Sequence, residues 1–261
     1  MGVSKEKMEI WEGIILGLLQ GLTEFLPVSS SGHLLLFEKF GVGEESMFFN
    51  VCVHVGTLVS VLVAMRKKWV PLVKKPLQKT NLFLLVASLP TVVIALLIKV
   101  LAPSLLEGQF LALGFVATTC CLVMCEKVAT DKNGTLSVKS SVLSGVFQGI
   151  AVLPGVSRSG ATITALRLAG VDKKESADFS FLMSIPVILG SLILEIVGLK
   201  ASNFALETTM ILPTILGTIT AGISGYFAVK FFLKLVKEKS LLPFAVYTFL
   251  LAIVTLLTAP K

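Results

Sequence analysis

A short segment near the beginning of the sequence contains three kinds of side chain that can move a proton or attack phosphorus. Glu24 is a carboxylate in an apolar stretch, Ser30 supplies a hydroxyl just beyond Pro27, and His33 supplies an imidazole. A carboxylate and an imidazole can act as base and acid, and a deprotonated hydroxyl is a nucleophile. An unpaired carboxylate in an apolar segment costs several kcal/mol, so Glu24 should face a partner or water. The group favours acid–base chemistry at one site.

The chain around these residues predicts two helices that meet at a break. Gln20 and Glu24 are four residues apart and share one face of a helix that Pro27 ends. The serines at 29–31 can cap a second helix running through His33, whose free N–H groups and positive dipole end form a natural phosphate seat. Taken singly, such serines are usually plain caps and a lone histidine is usually structural. Together with an intramembrane acid they favour a functional site.

This pattern occurs twice in the chain. Residues 17–32 align without a gap with residues 145–160, which lie 128 positions later. Roughly one identity is expected by chance. The identical pairs are Gly17 and Gly145, Gln20 and Gln148, Gly21 and Gly149, Val28 and Val156, Ser29 and Ser157, Ser31 and Ser159, and Gly32 and Gly160. Arg158 replaces Ser30 in the second copy, and its guanidinium forms a fork of donors that matches phosphate oxygens. The duplication predicts one composite site.

Composition places both copies in a membrane. The chain is 54% hydrophobic and 15% charged, with a mean hydropathy of +0.90, which lies outside the range of soluble domains. Six apolar runs of about 20 residues are long enough to cross ~30 Å of hydrocarbon. They are 47–65, 82–101, 109–126, 176–199, 208–236 and 241–259. Segments 12–40 and 140–170 are apolar but broken by Pro and Gly. We predict an all-α integral membrane protein with six transmembrane helices and two re-entrant helix pairs.

Lysine and arginine residues predict how the chain is oriented. The loop after the first span contains Arg66, Lys67, Lys68, Lys74, Lys75 and Lys79 and no acid, so it should be cytoplasmic. Loops 127–140 and 230–240 follow it inside, and both termini and loops 102–108 and 200–207 lie outside. With three spans each, repeat halves at about 12–126 and 140–259 of one domain, 1–261, would have inverted topologies. The first re-entrant pair then enters from outside, and the active site faces outward.

Other polar residues carry weaker signals. The net charge of +7 reflects the loop bias and predicts membrane lipids, not nucleic acid, as partners. The four cysteines lack metal-binding spacing and are expected to be free thiols. His54, Asp178 and Glu195 lie towards the ends of predicted spans, and the favoured interpretation for each is contact with interfacial water.

Two segments, EFLPVSSSGH at 24–33 and PGVSRSGATI at 154–163, resemble the signature motifs of the bacitracin-resistance family of undecaprenyl-diphosphate phosphatases. The resemblance extends over nearly the whole chain in length, span order and motif position. It implies a hydrolase of the bacterial-type plasma membrane that removes one phosphate from undecaprenyl diphosphate. The product is the monophosphate carrier used for peptidoglycan and other envelope polymers.

The resemblance also assigns expected roles. The catalytic set is Glu24, Ser30, His33 and Arg158. Apart from the resemblance, the two helix starts predict phosphate contacts, and the expected set is Gln20, Ser29, Ser31, Ser157, Ser159 and Thr162. A divalent cation, Mg²⁺ or Ca²⁺, is expected to help hold the phosphates, with Glu24 and Gln20 as candidate ligands. Gln20 stands at a position that varies between Glu and Gln in the family, and its neutral amide can orient substrate or metal-bound water but cannot be a base.

Several alternatives remain open at this stage. The nucleophile is Ser30, His33 or water, in that order of preference. The rival function is a polyprenyl-phosphate flippase or transporter, because inverted repeats with broken helices are also a transport architecture. A transporter needs an anion clamp but no base, so Glu24 and His33 favour hydrolysis. An oligomer is possible.

Overall fold

The structure is a computed structural model that describes residues 8–43, 46–127, 134–201 and 208–258. Within these ranges the chain forms eleven α-helices, a short 3-10 turn at Pro103–Leu106 and no strand. The helices are α1 (Ile10–Phe25), α2 (Ser30–Lys39), α3 (Met47–Ala64), α4 (Arg66–Lys74), α5 (Lys79–Leu101), α6 (Leu111–Lys127), α7 (Val138–Ile150), α8 (Arg158–Leu168), α9 (Lys173–Ala201), α10 (Thr208–Glu238) and α11 (Leu242–Leu257). The predicted all-helical class is confirmed.

Four of these helices are long and apolar enough to cross a membrane. They are α3, α5, α9 over Lys173–Gly198 and α10 over Thr208–Val236. The other two predicted spans also form helices, but α6 has 17 residues and α11 has 16. Many large apolar side chains of the long helices face outward, as Leu85 and Val100 do in α5 with exposed fractions of 71% and 73%. Such a surface suits lipid better than water.

Both predicted breaks are present. Helix α1 ends at Phe25 and α2 begins after Ser29, while α7 ends at Ile150 and α8 begins after Ser157. Each serine caps the new helix, because its hydroxyl accepts the backbone N–H three residues later. The chain therefore places a polar helix N-terminus beside a helix C-terminus at each break.

Glycines let the broken helices pack closely against long ones. A β carbon at Gly17 of α1 would lie 2.6 Å from the Cα atom of Gly217 in α10. Its repeat equivalent, Gly145 of α7, would bring a β carbon within 2.9 Å of the carbonyl carbon of Ala87 in α5. Small residues of this kind allow backbones to approach inside membranes. Each half therefore packs its first broken helix against a span of the other half.

Some orientation predictions concern regions that the structure does not describe. Residues 1–7 and 259–261 at the two ends, 202–207 in the predicted outer loop and 128–133 in a predicted inner loop all lie outside the described ranges.

Candidate active site

Glu24 lies in the last turn of α1, at the centre of a polar cluster. Its Oε2 atom accepts hydrogen bonds from the Ser30 hydroxyl at 2.6 Å and from Gln20 Nε2 at 3.0 Å. Its Oε1 atom accepts one from Arg158 Nη2 at 2.6 Å. The Glu24 and Arg158 side chains are only 8% and 15% exposed, so the ion pair is shielded from solvent. One carboxylate thus joins the two repeat copies and contacts the hydroxyl best placed to be deprotonated.

The backbone at Ser29 turns Ser30 towards that carboxylate. Ser29 has φ +69°, and it is the one non-glycine residue with positive φ in the described ranges. A residue in this region typically costs about 1–3 kcal/mol and persists where neighbours hold it. The hydroxyl of Ser29 accepts the Gly32 N–H at 3.3 Å, and its carbonyl accepts the His33 Nδ1–H at 2.7 Å. These two hydrogen bonds, one to the Ser29 hydroxyl and one from the His33 side chain, hold the turn at Ser29.

His33 is engaged at both ring nitrogens. Because Nδ1 donates to a carbonyl, Nε2 carries the lone pair, which accepts the Tyr247 hydroxyl at 2.8 Å. The ring also stacks on Tyr247, with ring centroids 5.7 Å apart, and meets Phe115 edge-on. Within the described contacts, His33 therefore acts on Ser29 and not directly on Glu24 or Ser30. Neither repeated motif includes Tyr247, which lies in the apolar helix α11, so sequence reasoning missed it.

The second break supplies the cationic side of the cluster. The Ser157 N–H donates to Thr118 at 2.8 Å, which fixes the start of α8. Thr162 donates to the Arg158 carbonyl at 2.9 Å and shares a 2.6 Å hydrogen bond with Ser180 of α9. Arg158 Nη1 is buried and makes no hydrogen bond within the described residues, so it retains a donor for an anion.

The predicted serines differ in accessibility. Ser31 is exposed and lines a cavity, whereas Ser29 and Ser157 are buried caps. The Ser157 and Ser159 hydroxyls lie 3.3 Å apart and those of Ser29 and Ser31 3.5 Å apart. The two helix starts are therefore built alike.

Gln20, which donates to Glu24, also lines a cavity with a volume of about 230 Å³. Its lining combines Gln20 and Ser31 with Asn50 and His54 of α3, Glu38 of α2, Glu195 of α9 and the second break at Val152 and Pro154. Glu195 is half-buried and lines this cavity, and its Oε2 atom has no hydrogen-bond partner in the described ranges. His54 lines the same cavity, whereas Asp178 pairs with Lys68. Glu24 and Arg158 themselves line a smaller neighbouring pocket together with Ser159 and Ser180.

The two predicted cation ligands, Glu24 and Gln20, differ in whether an oxygen atom is free of hydrogen bonds. Both Glu24 oxygens already accept hydrogen bonds from Arg158, Ser30 and Gln20. Gln20 is fully buried, and its Oε1 atom faces no hydrogen-bond partner within the described part of the chain. The same ranges contain no cluster of three or more His, Cys, Asp or Glu side chains suited to a metal. Gln20 therefore offers a cation an available oxygen, and Glu24 offers one only if its present contacts change.

Known proteins resemble this chain along almost its full length. The profile of the family described as bacitracin resistance protein BacA matches residues 13–254. An undecaprenyl-diphosphatase of Carboxydothermus hydrogenoformans is 38% identical over 95% of this chain and 97% of its own length. An undecaprenyl-diphosphatase of Halothermothrix orenii is 36% identical over 97% of this chain and 99% of its own. With a match of this extent, and both motifs joined at Glu24, the chain belongs to the BacA family of bacitracin resistance proteins.

Proposed function

We propose that this protein is a multi-pass membrane phosphatase that converts undecaprenyl diphosphate to undecaprenyl phosphate. The relatives of matching length are named for this activity. The observation that carries the proposal is the contact of the Ser30 hydroxyl with Glu24, which in turn pairs with Arg158. A nucleophile, a base and an anion-binding group then lie together. The long prenyl chain remains in the bilayer, between apolar helix surfaces.

Chemistry begins when Ser30 attacks the terminal phosphorus. The Ser30 proton passes to Glu24 as the new oxygen–phosphorus bond forms and the bond to the bridging oxygen breaks, releasing undecaprenyl phosphate. Arg158 binds the transferred group through Nη1, and the helix starts at Ser29 and Ser157 direct N–H groups towards it. Glu24 passes the Ser30 proton to the departing undecaprenyl phosphate and becomes a base again. It then accepts a proton from a water molecule that attacks the phosphoserine, and it returns that proton to the Ser30 oxygen as the bond between this oxygen and phosphorus breaks and phosphate leaves.

His33 holds the turn that aims Ser30. An attack by His33 on phosphorus would have to break its hydrogen bond to Tyr247 and free Nε2 from the aromatic stack. Direct attack by water needs no such rearrangement, but it assigns no role to the 2.6 Å hydrogen bond from Ser30 to Glu24. Ser30 is therefore the preferred nucleophile.

A divalent cation, Mg²⁺ or Ca²⁺, would screen the charge of the diphosphate when bound. Of the two candidate ligands, Gln20 has the available oxygen. Its Nε2 atom donates to Glu24 at 3.0 Å, so the amide can contact both the cation and the base.

The proposed topology has six spans, two re-entrant pairs and inverted halves. Two features support it: equivalent glycines pack α1 on α10 and α7 on α5, and both breaks meet at Glu24. The cavity is lined by Gly43 and Leu106, from loops that the lysine pattern places outside. The site accordingly opens outward.

Phosphate release from undecaprenyl diphosphate by purified protein in detergent, with Mg²⁺ or Ca²⁺ present, tests the function. We expect Ser30→Ala and Glu24→Gln each to lose roughly 10²-fold or more in rate. Ser104→Ala, in the exposed 3-10 turn, is the matched control and should keep the parent rate. If folded parent protein binds the lipid but releases no phosphate, the flippase alternative replaces this proposal.

A further inference from the structure

A groove on the outer surface of α3 and α10 lies apart from the active site. Its volume is about 380 Å³, within the range of roughly 300–1,000 Å³ that ligand sites occupy. Four apolar residues, each at least half exposed, form its sides: Val59 and Val63 of α3, and Ile223 and Phe227 of α10. Among the described residues, none that lines the groove also lines the larger cavity or the smaller pocket of the active site. The proposed hydrolysis therefore leaves the groove without a role.

Small residues form the floor of this groove. A β carbon on Gly56 of α3 would lie 3.2 Å from the backbone nitrogen of Gly222 in α10, so the two backbones are in close contact. Ser60 is buried beside them, and its hydroxyl donates to the Gly222 carbonyl at 2.8 Å. Because this hydroxyl proton is already bound to the protein backbone, the floor suits a hydrocarbon chain better than a polar ligand.

Two lysines extend the groove side of α10 beyond its apolar part. Lys230 follows Phe227 by three residues and Lys234 by seven, so the three share one face of this continuous helix. Both lysines are exposed. The Lys230 ammonium lies 4.5 Å from the ring centre of Tyr226, which lines the groove, and this contact holds the charge at the end of the groove. Neither 47–64 nor 208–237 contains an Asp or Glu that would cancel it.

An apolar groove that ends in lysines matches a lipid with an anionic headgroup. In a bilayer any acyl chain can fill an apolar groove, so the chain contact alone selects no particular lipid. The fixed positive charge does select, because it favours a headgroup with a net negative charge over a zwitterionic one. The lysine pattern places this end of α10 on the cytoplasmic side, whereas the proposed active site opens outward.

We propose that the groove between α3 and α10 binds an anionic phospholipid of the cytoplasmic leaflet. One acyl chain lies between Val63 and Ile223, and the headgroup phosphate contacts Lys230 and Lys234. The binding itself does not depend on the phosphatase activity. Only the choice of leaflet rests on the proposed topology.

Native mass spectrometry of the purified protein in detergent measures the apparent Kd of phosphatidylglycerol and of phosphatidylcholine with the same acyl chains. We expect the parent to bind phosphatidylglycerol roughly tenfold or more tightly than phosphatidylcholine. The double variant Lys230→Gln, Lys234→Gln should lose most of this preference. The matched control is Lys79→Gln, Lys139→Gln, which removes two exposed lysines from the first turns of α5 and α7 and should keep the preference.

Gly222→Leu tests the groove itself. A β carbon there would lie 3.5 Å from the Gly56 carbonyl oxygen, an ordinary contact, so the larger side chain can enter the groove without forcing the backbones apart. We expect this variant to keep the parent melting temperature without added lipid and to raise the Kd of phosphatidylglycerol roughly tenfold.

Equal Kd values of the two lipids in the parent, or an equal preference in the two double variants, would overturn the lipid site. Displacement of bound phosphatidylglycerol by an equimolar amount of undecaprenyl phosphate would also overturn it, because the groove would then hold a polyprenyl lipid. Ser30→Ala separates this result from the phosphatase proposal, since it should bind phosphatidylglycerol like the parent while losing phosphate release.

Discussion

Tyr247 shows how one hydroxyl outside both motifs can act on the proposed nucleophile. It donates to His33 Nε2, and His33 in turn donates to the carbonyl of Ser29, the residue with φ +69°. Tyr247→Phe removes the hydroxyl but keeps a ring that can stack. Loss of one such hydrogen bond costs about 1 kcal/mol, so we expect kcat to fall roughly threefold to tenfold while KM changes little.

The matched control is Tyr226→Phe. Tyr226 lies in α10, where its ring contacts Phe227 and Lys230 and not His33. It should retain the parent kcat. A fall in thermal stability of Tyr247→Phe with an unchanged kcat would instead make Tyr247 a purely structural residue.

Residue types and spacing predicted one composite site and a partner or water for Glu24, but not which side chains contact it. Ser30 and Arg158 stand at equivalent positions of two copies, so the repeat predicts that they share a site, and in the structure both contact Glu24. Glu195 joins the cavity because α9 packs against α3, a tertiary contact that leaves no local signal. Tyr247 approaches His33 from 214 positions away for the same reason.

At the scale of elements, close helix packing should be sensitive to a single methyl group. Gly17→Ala places a β carbon 2.6 Å from the Cα atom of Gly217. This Cα atom belongs to the backbone of α10, so it can move away only if α10 moves. Overpacking of this kind costs about 1–3 kcal/mol, so we expect a lower apparent Tm in detergent. The matched control is Gly190→Ala in α9, where a β carbon meets nothing within 4 Å and alanine favours the helix. Equal melting temperatures for the two variants would contradict the α1–α10 packing.

Helix positions were largely readable from hydrophobic runs, with one instructive miss. The run predicted at 47–65 corresponds to α3, Met47–Ala64, because a span must supply enough apolar length. The basic stretch that follows predicts a loop, yet α4 forms there over Arg66–Lys74 and includes Pro71. Trp69 anchors it by donating to the Leu62 carbonyl at 2.7 Å. The basic residues predict the side of the membrane on which this segment lies but did not indicate the helix.

At the scale of the whole molecule, the two halves depend on each other. Glu24 comes from the first half and Arg158 from the second, and the ion pair between them is largely buried. Separating such a pair leaves each charge without its counterion at a cost of several kcal/mol. The helices depend on each other in the same way, because α1 of the first half packs on α10 of the second, and α7 of the second half packs on α5 of the first. Neither half is therefore expected to bind diphosphate alone.

Orientation decides which side of the membrane supplies the substrate, and cysteine labelling measures it. In a variant without the four native cysteines, Lys75→Cys follows the basic α4 and should be protected from a membrane-impermeant maleimide in intact cells. Ser104→Cys, two residues before the cavity residue Leu106, should be labelled in intact cells. The reverse pattern would place the cavity on the cytoplasmic side. Because Leu106 lines the same cavity as Gln20 and Ser31, labelling at position 104 reports the side of the membrane to which this cavity opens.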